Sequence, residues 1–185
     1  MIAALFLVIQ LLGQSESQTI LCDGDFPNAT EVMVKLPRTY RLQSAFNVSN
    51  LDCVYQVFYN ITHRNKTYKK YNLVYMYTVK KYKDFQDQPF YVRGVENYTI
   101  ILAYKPDEYF QPEKKELILY SDKETCMVTK DPNSHFTSNV CSLLVTEASF
   151  YDPRKECTQA FIRHCGHAAY NFTSISRCVN RTDYN

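Results

Sequence analysis

The chain contains no tryptophan and only four glycines, and the short signatures of the common enzyme classes are missing from it. There is no Gly-x-Ser-x-Gly, no His-Glu-x-x-His, no phosphate-binding Gly-x-x-x-x-Gly-Lys and no dinucleotide-type Gly-x-Gly-x-x-Gly. The nucleophile elbow, the zincin site and the nucleotide-cradling turns are thereby excluded, and the chain reads as a non-enzyme with no cofactor. The histidines are His63, His135, His164 and His167. The run His164-Cys165-Gly166-His167 fits no structural zinc spacing, so no metal site is expected. Dense basic runs are absent too. Lys80-Lys81 and Lys114-Lys115 are short, and the formal net charge is only +2, which argues against a nucleic-acid partner. No apolar run long enough for a membrane span follows the N-terminal one, and there is no internal repeat or low-complexity tract.

What is present begins with residues 2–13, apolar except for Gln10 and followed by Gln-Ser-Glu-Ser. This reads as a secretory signal peptide over 1–17, with cleavage after Ser17, leaving a single domain over 18–185 that is secreted and extracellular. Secretion predicts oxidised cysteines. Seven are present, one more than three pairs need, and spacing alone leaves the pairing open. N-x-S/T sequons stand at Asn28, Asn47, Asn60, Asn65, Asn97, Asn171 and Asn180, so the protein is expected to be glycosylated. Each occupied site must face solvent, which helps to orient strands.

The densest pattern runs from Lys115 to Cys165: strand, tight turn, strand, loop, strand, then a helix with Asp152 as N-cap and Pro153 at its first position. That helix would carry Cys157, Ala160, Phe161, His164 and Cys165 on one face. Candidate strands cover 39–47, 53–62, 68–79, 90–95, 97–104, 116–121, 124–130 and 140–146, joined mostly by short polar turns. Residues 80–88 and 105–114 are read as loops, and no structure is assigned to 22–37. The fold class is all-β: an eight-stranded antiparallel up-and-down barrel with a C-terminal helix packed alongside, a two-sheet sandwich being the alternative.

The sequons orient two strands. If Asn60 faces out, Tyr55, Val57, Tyr59 and Ile61 face in, because side chains alternate. If Asn97 faces out, Tyr98, Ile100, Leu102 and Tyr104 face in. Tyr71, Leu73, Tyr75 and Tyr77 share one face of their strand. A tyrosine-rich interior suits a ligand cup lined by rings and a few hydroxyls, against the plainer reading of an ordinary core. The candidate ligand-binding residues are Tyr55, Tyr59, Tyr75, Tyr77, Tyr98 and Tyr104, with Ser142 and Leu144 from the last strand.

Leu119-Tyr120-Ser121-Asp122, Glu124-Thr125-Cys126, then Cys141 with Leu143-Leu144-Val145, and Cys157 with Phe161 and Cys165, resemble the histamine-binding-type salivary lipocalins of ticks. Asp52-Cys53 and the closing Cys178 extend the likeness over most of the chain. The resemblance implies a lipocalin barrel with a ligand pocket, and disulfides Cys53–Cys178 and Cys126–Cys157. Of the remaining cysteines, Cys141 on the last strand is paired with Cys165 on the helix, leaving Cys22 free or bridged between molecules. The alternative is Cys22–Cys165. The biogenic-amine signature of these lipocalins is broken: Met127 follows Cys126 where an acid belongs, and Ser142-Leu143-Leu144 replaces acid-Leu-Trp. A buried amine needs carboxylates and rings to replace its water. The resemblance therefore implies sequestration of small host mediators to evade host defence during blood feeding, with a lipid or eicosanoid favoured over histamine. The alternative is inhibition of a host plasma protein, such as a complement or coagulation factor, through Tyr82, Phe85, Tyr109 and Phe110 in the loops.

Overall fold

The computed structural model describes residues 21–47, 50–106, 113–132, 140–176 and 178. The expected signal segment, Tyr109, Phe110 and Asn180 lie outside them. The elements are α1 (Ala29–Lys35), β1 (Arg38–Ser44), β2 (Leu51–His63), β3 (Lys66–Val79), β4 (Tyr82–Glu96), β5 (Thr99–Ala103), β6 (Lys114–Ser121), β7 (Cys126–Asp131), β8 (Val140–Val145), α2 (Lys155–Cys165) and the short β9 (Tyr170–Asn171). Strands β1 to β8 form a closed antiparallel barrel, each pairing with the next and β8 returning to β1. The β1–β2 seam covers only Arg38–Tyr40, and β9 takes the same edge of β1 higher up, at Gln43 and Ser44.

One end of the barrel is shut by α1, which the sequence reading left unassigned. Asn28 caps it, its side chain accepting from the Glu31 amide at 3.2 Å. Ala29, Val32, Met33 and Leu36 follow at helical spacing and are buried among Phe58, Leu73, Ile100, Ile118, Met127 and Leu144. The Ala29 amide donates to the Asn97 carbonyl at 2.9 Å and fixes the helix to the β4–β5 turn.

A second core lies outside the barrel. Helix α2 and the segment through Phe172, Ile175 and Cys178 cover the outward side chains of Tyr55, Val57, Tyr120, Val128, Leu143 and Val145. The sulfur pairs are Cys53–Cys178, Cys126–Cys157 and Cys141–Cys165, with Cα separations of 5.7, 6.2 and 5.8 Å, and Cys22 is free and exposed. Helix α2 starts two residues later than Asp152–Pro153 suggested: its N-cap is Arg154, with no side-chain cap bond. Arg154 is drawn instead toward the β6–β7 turn, donating to Glu124 at 2.8 Å and Asp122 at 3.4 Å.

Residues 82–88, read as loop, are strand. They form a long hairpin arm with β3, turned at Lys80 and Lys81, whose φ angles are 48° and 73°. The β2–β3 hairpin projects likewise at the closed end, and its residues from Asn60 to Lys66 are exposed. On such arms both faces meet water, so the sequence shows no alternation. Asn28, Asn47, Asn60, Asn65, Asn97 and Asn171 are all exposed.

Candidate ligand site in the barrel

Residues paired across an antiparallel ladder share a face. From Ile100 and Leu144 in the inner core, the registers Ile100↔Glu116, Leu102↔Lys114, Leu144↔Arg41 and Ser142↔Thr129 carry Glu116, Lys114, Arg41, Thr129 and Ser142 to the inner wall. Gln56↔Leu73 and Phe58↔Tyr71 orient β2 and β3 in the same way. The interior is thus layered. The floor, over α1, is apolar and closely packed. Across the waist lie Phe58, Tyr71 and Phe90, whose rings stack at 4.9 Å and 6.3 Å. Above them, toward the end where β7 stops and β8 begins, stand Arg41, Tyr75, Tyr77, Lys114, Glu116 and Asp131.

This upper layer is charged. Glu116 is 6% exposed. Burial pushes its carboxyl up, while Lys114, the Thr129 hydroxyl and Arg41 pull it back and Asp131 pushes it further. Lys114 pairs with Asp131 at 3.1 Å. Burial lowers the Lys114 ammonium, but Glu116 and Asp131 outweigh this and leave it raised. Arg41 is 9% exposed, its Nε has no hydrogen-bond partner among the described residues, and its guanidinium lies 5.9 Å from the Tyr75 ring centre. Burial drives the Tyr71 hydroxyl well above its ordinary range, with Glu116 adding to it.

The tyrosines expected in the cup divide. Tyr75 and Tyr77 stand on the inner face in the upper half, and Tyr77 donates to Gln86 Oε1 at 2.9 Å. Ser142 is inside beside Thr129, and Leu144 belongs to the floor. Tyr55 and Tyr59 face the other way. Tyr55 packs against Tyr40 at 5.9 Å in the outer core, and Tyr59 follows the same outward alternation. The argument from Asn60 fails because that residue lies on the projecting hairpin, where exposure does not distinguish the two faces. The argument from Asn97 places Ile100 and Leu102 inside, but the tyrosines flanking them lie at the barrel's two ends. Tyr98 packs on Phe26 at 4.9 Å at the closed end, and Tyr104 is 61% exposed at the rim, 5.1 Å from Phe90.

Sequence reasoning missed Arg41, Lys114, Glu116, Thr129 and Asp131. The available signal was register: Lys114 and Glu116 continue inward from Ile118 at a period of two, and Arg41 follows the fully buried Thr39 at the same period on β1. The Tyr120–Cys126 motif is structural. Asp122 accepts from the amides of Glu124, Thr125 and Cys126 at 3.0, 2.8 and 2.9 Å and from the Thr125 hydroxyl. Asp122, Cys126 and Cys157 lie close together, but the two sulfurs are bonded to each other, so they are not metal ligands.

Residues 19–180 match the profile of the tick histamine binding protein family. The chain belongs to this family. No curated protein sequence matches it. Among solved structures, Japanin from Rhipicephalus appendiculatus bound to cholesterol is 18% identical, covering 77% of this chain and 95% of its own, with a TM-score of 0.54. The cockroach major allergen Per a 4 is 12% identical, covering 88% and 98%, with a TM-score of 0.54. At these identities the likeness concerns the fold. Within the tick histamine-binding family frame, the positions where the resemblance calls for acids, Met127 and Ser142, do face the interior. On the inner wall, among the described residues, Glu116 is buried instead, at 6% exposure. Glu96 is exposed at the closed end, and Asp52 accepts from the Thr78 hydroxyl. Among the described residues no helix is long and apolar enough to cross a membrane.

Proposed function

We propose that this protein is secreted and sequesters a small host mediator in the upper half of its barrel, with Tyr75, Tyr77, Ser142 and the charged layer as its contacts. The observation that carries this reading is Arg41. A guanidinium keeps its charge, and burying it without a hydrogen-bond partner at Nε costs several kcal/mol on the order of that for any desolvated ion. A barrel that served only as scaffold would close this layer with apolar side chains, as it does the floor. The family's histamine-binding name and the cholesterol on Japanin support capture of small molecules. Loss of the signature acids at Met127 and Ser142 favours a lipid or eicosanoid over histamine. Native mass spectrometry of the secreted protein tests the proposal: a small molecule released on unfolding is expected, and its consistent absence, together with no binding of amines, fatty acids, leukotrienes or cholesterol by calorimetry, refutes it.

A second reading rests on the β3–β4 arm, where Tyr82 and Phe85 are exposed beside Lys80, Lys81 and Lys83. Exposed aromatics among charges can anchor a protein partner, and pull-down of a host plasma factor that is lost on Tyr82→Ala would favour it.

A further inference from the structure

The charged layer sets two cations, Arg41 and Lys114, among two acids, Glu116 and Asp131. Lys114 and Asp131 neutralise each other at 3.1 Å. Glu116 receives the Thr129 hydroxyl; burial raises its carboxyl while Lys114 and Arg41 pull it back. Arg41 draws on Glu116 only through its charge, its buried Nε has no hydrogen-bond partner among the described residues, and its guanidinium lies 5.9 Å from the Tyr75 ring centre. An arginine edge presents parallel N–H donors whose spacing matches the two oxygens of a carboxylate. An amine placed there has no acceptor for the Arg41 Nε–H and leaves it unpartnered.

The layering also limits size. Below Arg41, Tyr71, Phe90, Ile100, Ile118, Met127 and Leu144 are packed to within 2% exposure, so a long chain cannot pass the waist unless these side chains move. Above it, Tyr75 and Tyr77 offer ring faces and are only half-buried.

Resting on the ligand-capture reading above, we infer that the barrel binds a compact organic carboxylate, its oxygens on the Nε edge of Arg41 and its apolar body against Tyr75 and Tyr77, with Glu116 taking up a proton as the anion enters. The groups facing Glu116 are Lys114 on its own strand, Asp131 and Thr129 on β7, Arg41 on β1, and Tyr71 and Tyr75 on β3. An incoming carboxylate adds a like charge beside Glu116 and raises it further. The proton comes from solvent, so affinity increases as pH falls toward the raised Glu116 value.

The test is calorimetry on the full secreted protein with 3-phenylpropanoate, its cationic counterpart 3-phenylpropylamine, histamine and arachidonate, between pH 5 and 8. The expected result is that 3-phenylpropanoate binds more tightly than either amine and no more weakly than arachidonate, with proton uptake. Arg41→Met weakens it by about tenfold or more, and Arg41→Lys, which keeps the charge without the fork, gives an intermediate loss. Glu116→Gln removes the pH dependence of the affinity. Circular dichroism shows whether each variant is folded, and if Arg41→Met is not, Arg41→Lys and Glu116→Gln decide. Tighter binding of either amine or of arachidonate, or an unchanged affinity in both Arg41 variants, overturns the inference. If none of these probes binds but native mass spectrometry still releases a small molecule, the inference fails and the capture reading stands. If neither is seen, both fail.

Discussion

Replacing Asp122 by alanine removes one side chain that ties a turn, a helix and a disulfide together. The carboxylate accepts three backbone amides at 2.8–3.0 Å, binds the Thr125 hydroxyl and lies 3.4 Å from Arg154, with its side chain only 11% exposed. A hydrogen bond to a charged group contributes about 1.5–3 kcal/mol net, and each amide left buried without a partner adds a penalty of similar size. Water reaches part of the turn through exposed Glu124, so the contributions do not sum fully. We expect Asp122→Ala to cost about 3 kcal/mol, and for a chain of this length a fall in Tm of roughly 6–12 °C. Asp122→Asn, which retains the Oδ1 contacts as a neutral acceptor, should cost about half as much. The pH dependence gives a second check. Burial raises the Asp122 carboxyl, but the bonds from Thr125, Glu124 and Cys126 outweigh this and leave it below its ordinary value of 3.8. Its stabilisation is therefore fully present above the unfolded value and is lost as pH falls through the lower folded value. The gap between wild type and Asp122→Ala in urea unfolding, measured with disulfides intact, should narrow under acid. A variant within about 0.5 kcal/mol of wild type at neutral pH would refute the reasoning.

Other outcomes follow from single contacts. Gly24 has φ of 86°, and a Cβ there would lie 2.8 Å from both the Ser121 carbonyl oxygen and the Tyr120 ring, so Gly24→Ala should lose about 2 kcal/mol or more in urea unfolding. Alkylation of the denatured, unreduced protein should label Cys22 alone, and peptide mapping that links Cys22 to Cys141 or Cys165 would refute the pairing. Histamine should bind weakly, because Met127 and Ser142 leave it without the family's carboxylates. A nanomolar affinity by calorimetry would show that Glu116 or Asp131 supplies them.

The barrel was legible in its strands: β5 to β8 stand out as short β-rich runs between polar turns although both faces of β7 and β8 are buried, and Ile100 and Leu102 were placed inside from a single sequon. Helix α2 showed itself through Cys157, Ala160 and Phe161. Legibility failed for two physical reasons. On the hairpin arms around Asn60 and from Tyr82 to Pro89, water lies on both sides, so neither polarity nor a glycan site identifies the inner face. On β2 the outward face is also buried: Tyr55 lies under the outer core, and a buried tyrosine there has the same sequence appearance as one in a cup. The charged layer was missed for the converse reason. Lys114, Glu116 and Asp131 look like surface residues, and only their register with Leu102, Ile100 and Val140 turns them inward. Helix α1 spans seven residues, too short for periodicity to announce it.

The position of the disulfides explains how the interior can hold charge. Cys53, Cys126 and Cys141 all stand on outward-facing positions, and their partners lie on α2 or in the C-terminal segment. Each bridge can contribute about 3–5 kcal/mol by restricting the unfolded chain, on a chain-entropy account that is itself contested. The apolar area buried by Phe150, Phe161, Phe172 and Ile175 also lies outside the barrel wall. A second apolar core therefore supports the strands from outside the barrel wall. Burying Arg41 and Glu116 costs several kcal/mol per ion, and in a barrel stabilised only from within, those residues would compete with the packing that keeps it closed. Here the cost falls on one layer while that outer core holds the strands in register, so the inner wall can change its chemistry, as it has at Met127 and Ser142, without loss of the fold.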